Sequence, residues 1–467
     1  MTQVEELLRE VLERVTPTPA ERERVSLAVS RVVRALERAA RELQAKVEVE
    51  VEGSFAKDTW LSGDVDVDVF LLFEPDVPVE ELRSKGLQIA KRAAEILGVG
   101  WRERYASHPY LTLELGVCEV DAVPAYRVPS PAHIKSPVDR TPFHTAYVKR
   151  RLDANPSLRG EVRLLKRFAK GIGVYGAEVK VEGFSGYLLE LLAIHYGSFV
   201  STLEAAAGWR PFRTVVDLEG HYSDPREALR RFREPLVAVD PVDPKRNVAS
   251  PVSLDSMGRF IAAARAFLRK PGLEFFYPNP PPPRQPDELV KGRAVAAVKL
   301  RVPQLPEDVL WGQAKRALRA LAHGLERLGF KVFDRAAWAE GGELVLLFEL
   351  ESLELPPLEK HYGPPVYSDH DARFVSKYAE GGCAAGPYVE GDKWVVIRPR
   401  RVRRADEALA KLVATYNIGE DLTPSARSGF EVYAGEGVLG ASASAGYKRF
   451  LAEWLARRPP WLSSSGA

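Results

Sequence analysis

At 467 residues the chain is too long for one compact core, and 45% hydrophobic with 28% charged residues fits an ordinary globular protein of two to four domains. Two cysteines, Cys118 and Cys383, exclude a disulfide framework or a four-thiolate zinc site and point to a reducing compartment. The net charge of +2 argues neither for nor against nucleic acid, so any polyanion contact must come from local patches.

The longest apolar runs, 69–73 and 344–348, are strand-length, far short of the roughly 20 residues that a spanning helix needs. The first residues form an acidic amphipathic stretch without the basic start of a secretory signal. A cytoplasmic protein with no membrane association is expected. Few methionines and many arginines and prolines resemble thermophile usage.

Apolar spacing predicts helices over 4–15 and 21–43, separated by Pro17 and Pro19. Residues 46–51 alternate and read as a strand ended by Gly53-Ser54. A short helix is expected over 55–61, a strand over 65–73, a helix over 79–97, and a hairpin of 111–115 with 117–123 around Gly116. This order predicts a mixed sheet with helices on one face. From about 153 strand signals become sparse, and helices are expected over 159–170, 186–199 and 256–268. Residues 271–286, with consecutive prolines at 280–283, read as a stiff linker. Then come a strand (294–302), a helix with an arginine-rich side (309–328), strands over 331–336 and 343–350, and helices over 405–416 and 445–456. Strand–helix–strand–strand is the start of a ferredoxin-like arrangement, which RNA-recognition domains share, although their base-stacking signature is missing. The whole is an α+β multidomain chain: 1–152 a mixed sheet with helices, 153–278 a mainly helical centre, and 279–467 a ferredoxin-like body with an added tail.

One constellation carries chemistry. Within Asp64-Val65-Asp66-Val67-Asp68 the aspartates share one strand face and the valines the other. Parallel carboxylates repel, and a shared divalent cation gives them a reason to stand together. Asp121, in Cys118-Glu119-Val120-Asp121-Ala122-Val123-Pro124, would add a third carboxylate from a neighbouring strand. Three such carboxylates can hold two metals about 3.5–4 Å apart. Asp64 is set outside the metal site, because the pair abutting the apolar run fits the pattern better. Gly53-Ser54 turns a strand into a helix and aims backbone N–H groups outward, where phosphates bind. Ser54 adds a hydroxyl, and Lys57 a positive charge one turn on. An Asp-x-Asp pair alone is usually a solvated strand edge, and Gly-Ser alone says little; their combination and spacing favour function.

The segment 53–73 (GSFAKDTWLSGDVDVDVFLLF) resembles the DNA polymerase β-like nucleotidyltransferases, and more narrowly the archaeal class I CCA-adding enzymes. Segments 104–110 (RYASHPY), 118–124 (CEVDAVP), 134–144 (IKSPVDRTPFH), 162–166 (VRLLK), 175–178 (YGAE), 183–186 (GFSG), 240–248 (DPVDPKRNV) and 386–390 (GPYVE) follow the family's order. The resemblance covers most of the chain, strongly to about residue 270. It implies untemplated addition of C, C and A to the 3′ end of tRNA from CTP and ATP. It further implies two Mg2+ ions held by Asp66, Asp68 and Asp121, with Asp121 helping to deprotonate the attacking hydroxyl. Ser54 and Lys57 would contact phosphates, Lys57 standing where relatives often have arginine. His144, Lys166 and Tyr175 match nucleotide-binding positions, and Arg246 matches the arginine that reads the incoming base. The 153–278 region would complete the nucleotide pocket, and 279–467 would hold tRNA at its acceptor end and elbow. A homodimer is the candidate assembly.

The densest basic run, Arg398, Arg400, Arg401, Arg403 and Arg404, lies near Tyr388 and Trp394 and reads as an RNA contact. The competing reading is a patch that pairs local acids. Competing functions are another untemplated polymerase, of the poly(A) or oligoadenylate kind, and an RNA-binding protein with an inactive catalytic domain. The motif around Arg246 disfavours the first, and the intact carboxylates disfavour the second.

Overall fold

The computed structural model describes residues 3–105, 108–279 and 284–462. The prolines at 280–283, expected as a linker, and Ala106-Ser107 of the 104–110 motif lie outside them. The chain divides into two compact units, Met1–Pro281 with Pro459–Ala467, and Pro282–Arg458.

The first unit opens with α1 (Gln3–Val15) and α2 (Pro19–Glu42). Thr18 caps α2 by accepting the Glu21 N–H at 3.2 Å, and Pro19 begins the helix where a missing N–H costs nothing. There follow β1 (Val47–Glu52), the single turn α3 (Gly53–Ala56), β2 (Asp66–Phe73), α4 (Val79–Leu97), β3 (Gly100–Tyr105), β4 (Pro109–Glu114) and β5 (Glu119–Tyr126). The sheet order is β1-β2-β5-β4-β3, with β2 and β5 parallel and every other pair antiparallel. Val67, Val69, Leu71 and Phe73 face α2 and α4 in one core, while Phe70 and Leu72 lie on the opposite face in a small separate cluster. The period-2 reading of this strand therefore holds. The expected helix over 55–61 shrinks to α3, because Lys57–Leu61 leave the helix to hydrogen-bond with other segments. The alternation never signalled β3, whose residues are all exposed.

The remaining elements are α5 (Thr141–Ala154), α6 (Leu158–Gly171), α7 (Gly186–Tyr196), α8 (Phe199–Ala207), β6 (Thr214–Asp217), α9 (Pro225–Arg231), β7 (Leu236–Val239) and α10 (Leu254–Arg269). The helices α5 to α8 and α10 build a second core around Phe168, Phe199, Phe260 and Phe267. The parallel pair β6–β7 is a strand element that the helical reading of this region missed. The expected boundary at 152 falls inside α5, and Val11 and Val15 of α1 pack into this second core. Trp461 joins it too, stacked on Phe275 at 6.3 Å.

The second unit contains α11 (Pro286–Val290), β8 (Ala294–Arg301), α12 (Glu307–Leu328), β9 (Val332–Glu340), β10 (Glu343–Leu350), β11 (Leu358–Pro365), α13 (Asp371–Ala379), β12 (Ala385–Glu390), β13 (Lys393–Pro399), α14 (Ala405–Thr415), α15 (Leu422–Ser428), β14 (Phe430–Ala434) and α16 (Ala445–Ala456). An antiparallel sheet of order β14-β8-β10-β9 carries α12 and α14 on one face. Tyr447, Leu451 and Leu455 of α16 cover the other face. That second face is where RNA-recognition domains stack bases, so its burial accounts for the missing aromatic signature. Between β10 and α14 the chain inserts a second antiparallel sheet, β11-β13-β12, with α13. No helix among the described residues is long and apolar enough to cross a membrane.

Candidate active site

The parallel register of β2 with β5 sets Asp68 beside Asp121 and Asp66 beside Glu119 on the face turned away from α2 and α4. At the end of β1, opposite Asp68, the chain turns at Gly53, whose φ is +70°. A side chain there would place its Cβ 2.0 Å from Asp68 Oδ2. Glycine is thus demanded twice, by backbone conformation and by the close carboxylate. These residues line a cavity of about 500 Å³ together with Ser54, Lys57, His144, Lys166 and Tyr175. Of the residues singled out for metal and nucleotide, only Arg246 stands off this wall.

On the carboxylate side Arg104 lines the cavity and pairs with Glu119 at 3.6 Å, and Lys170 pairs with Asp64, yet burial and mutual repulsion dominate the aspartates. Burial first, then Asp121 and Asp66, pushes Asp68 up to about 6. Burial also raises Asp66, with Asp64 and Glu119 adding repulsion. Asp121 is raised by burial while the Thr112 hydroxyl, donating to its Oδ1 at 2.6 Å, pulls it down. Among the described residues no three acidic, histidine or cysteine side chains converge closely enough to hold a cation unaided. The donor chemistry nonetheless suits a hard divalent cation, which takes carboxylate oxygens from the protein and completes its shell with water and substrate phosphates.

The opposite wall is basic. Lys57 donates to Glu190 Oε2 at 2.6 Å, and the Thr59 hydroxyl donates to Oε1 at 2.6 Å. Lys166 donates to Thr59 O and Oγ1 at 3.1 Å each and to Glu190 Oε1 at 3.4 Å. All three of its protons therefore go to protein partners. Burial lowers Lys166 to about 8. Burial raises Tyr175, which stays a phenol and a donor. Its hydroxyl lies close to Gly186, the first residue of α7, and Gly186 and Tyr187 bring that helix's N-terminal end to the cavity.

Beyond the lysines sits Asp240, fully buried just after β7. Its Oδ2 accepts from His144 Nε2 at 2.9 Å and Arg246 Nη1 at 2.7 Å; its Oδ1 accepts from Val242 N–H at 3.0 Å and Tyr187 at 3.3 Å. The His144 and Tyr187 rings stack at 4.1 Å. Burial lowers His144. Asp240 is held at about 2: burial pushes its carboxyl up, but the bonds from His144 and Arg246 outweigh that. Arg140 fastens the same loop through Asp243 at 3.0 Å.

Sequence reasoning missed Glu190, Thr59, Thr112, Tyr187 and Asp240. Glu190 left a signal, as the one acid in the otherwise apolar helix α7. Asp240 opens the same 240–248 motif that contains Arg246.

The arginine run in the second unit is mostly engaged locally. Arg398 pairs with Glu359 at 2.8 Å, Arg400 with Glu359 at 3.2 Å, Arg403 with Glu354 at 2.7 Å and Arg404 with Asp406 at 2.6 Å. Arg401 is exposed, as is Tyr388, whereas Trp394 is half-buried.

Three family models match the chain: nucleotidyltransferase domain over residues 33–144, tRNA nucleotidyltransferase second domain over 160–277, and CCA-adding enzyme C-terminal domain over 291–435. The CCA-adding enzyme of Pyrobaculum neutrophilum is 41% identical over 421 residues, 90% of this chain and 96% of that protein. That of Methanosarcina barkeri is 37% identical over 458 residues, 97% of this chain and 98% of its own. That of Methanosarcina acetivorans is 38% identical over 435 residues, covering 92% and 93%.

Proposed function

The chain belongs to the archaeal CCA-adding enzymes, tRNA nucleotidyltransferases that add C, C and A to the 3′ end of tRNA from CTP and ATP without a template, and from that premise we propose how its cavity carries the reaction. The observation that supports this reading is the pairing of a carboxylate wall on β2 and β5 with a basic wall around Lys57 and Lys166 across one cavity.

The tRNA 3′-hydroxyl oxygen attacks the α-phosphorus of the nucleotide, and the bond to the β-phosphate oxygen breaks to release pyrophosphate. Asp66, Asp68 and Asp121 would hold two Mg2+ ions, whose chemistry is to acidify the attacking hydroxyl and to neutralise charge on the leaving pyrophosphate. Asp121 takes the hydroxyl proton, and Thr112 fixes the rotamer in which it does so. Ser54 and the backbone after Gly53 hold phosphate oxygens. Lys57 keeps two protons free of Glu190 for the triphosphate, while Lys166 acts on it through its field, its own protons being engaged. Tyr175 donates from the same side. Arg246, oriented by Asp240, reads the base edge, and His144 with Tyr187 borders the nucleoside. The second unit, with a ferredoxin-like body, holds the tRNA acceptor end and elbow by shape and backbone, exposed Arg401 and Tyr388 being its candidate contacts.

The test is incorporation. Purified protein with Mg2+ and tRNA lacking its 3′ end should add two C and one A and stop. An unbounded A tail would sink the assignment. Asp66→Ala and Asp68→Ala should each abolish incorporation; unchanged incorporation would refute the metal site.

A further inference from the structure

Glu190 is buried to 1% exposure on α7 and faces the cavity from its basic side. It meets groups from two different cores. Lys57 and Thr59 come from the segment after β1, and Lys166 comes from α6. Arg163, also on α6, donates to Trp60 O at 3.0 Å and Asp58 O at 2.7 Å, so the backbone around Thr59 is pinned on both sides. Tyr175 and Tyr187 face the same carboxylate, and both remain protonated.

Two ammonium groups within hydrogen-bond reach of one carboxylate are close neighbours in a dry wall. Without a counter-charge, repulsion and desolvation would act together to favour the neutral form of Lys166, which burial already lowers to about 8 with Glu190 present. Glu190 itself is pulled below the usual carboxylate range: burial raises it, but Lys57 and Lys166 outweigh burial. The anion is therefore secure at any working pH, and what it secures is the lysines.

We propose that Glu190 is a positioning residue for the phosphate side of this site, the buried counter-charge that lets Lys57 and Lys166 stand together as ammonium ions and fixes where they point. This rests on the reading of Lys57 and Lys166 as the triphosphate side. Glu190 touches no reacting atom in this scheme; it acts through the lysines. Removing its charge moves the loss of phosphate affinity to lower pH, because Lys166, already lowered to about 8, then loses its proton earlier. A purely structural glutamate would lower stability or kcat at every pH alike.

The experiment measures KM and kcat for CTP on tRNA lacking its 3′ end, from pH 6.5 to 9, for the full-length protein and Glu190→Gln, with melting temperature alongside. The expected result is a KM for CTP that climbs with pH, starting about one unit or more lower than in the wild type. Glu190→Asp should restore part of the profile. Where Glu190→Gln does not fold, Thr59→Val, which removes the hydroxyl between Glu190 and Lys166, should shift the profile in the same direction by less. Superimposable KM profiles in the folded variants would overturn the proposal. Lys57→Ala and Lys166→Ala, with inorganic pyrophosphate as competing probe, separate the two levels. If both lysine variants bind CTP and pyrophosphate as the wild type does, the phosphate-side reading fails. If they bind weakly while Glu190→Gln keeps the wild-type profile, only the role of Glu190 fails.

Discussion

Gly53→Ala separates stability from catalysis in a single methyl group. The residue sits at φ +70°, where an L side chain costs about 1–2 kcal/mol. The added Cβ would fall 2.0 Å from Asp68 Oδ2, and real contacts of this kind do not occur under 3.0 Å, so the carboxylate oxygen must retreat by about 1 Å. It can do so by rotating, because the obstructing atom is a side-chain end and not backbone, and the fold survives. The melting temperature should therefore drop by only a few degrees, as about 1 kcal/mol moves a domain of this size by about 2–4 °C. Catalysis has no such tolerance: a 1 Å displacement of a reacting group costs on the order of 100-fold in rate. The assay is single-turnover addition of labelled CTP to tRNA lacking its 3′ end, beside a thermal melt. Nearly normal turnover would show that Asp68 is not held at the reacting centre by the bare glycine. A collapse in melting temperature matching the activity loss would show that Gly53 serves the fold alone.

Asp240→Asn leaves His144 and Arg246 competing for one amide oxygen. Hydrogen bonds to charged groups contribute about 1.5–3 kcal/mol, so selection of CTP and ATP over UTP and GTP should weaken by about 10- to 100-fold, read from single-nucleotide incorporation; intact selectivity would remove Arg246 from base reading. In the second unit, Arg401→Ala should raise the KM for tRNA with little change in melting temperature, because Arg401 is exposed. Arg398→Ala should instead lower stability, since Arg398 holds both Glu359 and the Tyr378 hydroxyl at 2.8 Å; the reverse pattern would place the RNA contact at the engaged arginines.

Much of the fold was legible wherever one face of an element is buried. β2 alternates because its two faces meet different environments, and α4, α6, α10 and α12 declared themselves by apolar spacing for the same reason. β3, β11 and β12 were silent: edge or half-solvated strands bury too little to impose a period. β6 was silent because it has only four residues. The packing of α1 and Trp461 against the helical core joins residues more than a hundred positions apart, which no local pattern encodes. The lining of the candidate site was legible where residues fall in a short motif, in Gly53-Ser54 and in Asp66 with Asp68. Glu190 and Asp240 were not, because each acts through groups distant in sequence: Glu190 holds Lys57, 133 residues away, and Asp240 holds His144, 96 residues away. The arginine run was legible as a basic patch, whereas its pairing with acids distant in sequence, such as Glu359 and Glu354, was not.

The division of labour within the site follows from where its walls are rooted. The carboxylates stand on strands of the sheet core, while Lys166, Tyr175, Glu190, Asp240 and Arg246 belong to the helical region, outside that core. A nucleotide bound between them, as proposed, would meet the carboxylates, Ser54 and Lys57 on one scaffold and Lys166, Tyr175 and Arg246 on the other. One side-chain cluster ties the scaffolds together, and a second lies within the helical region. Lys57 and Thr59 meet Glu190 on the phosphate side, and His144 meets Asp240 on the base side. Both clusters centre on a buried acid whose charge the surrounding bases compensate. Breaking either should therefore misalign the nucleotide relative to Asp66 and Asp68 without touching those carboxylates. Loss at the Glu190 cluster should surface as pH-dependent nucleotide affinity, and loss at the Asp240 cluster as base selectivity, so the two measurements report separately on the two ends of one bound substrate.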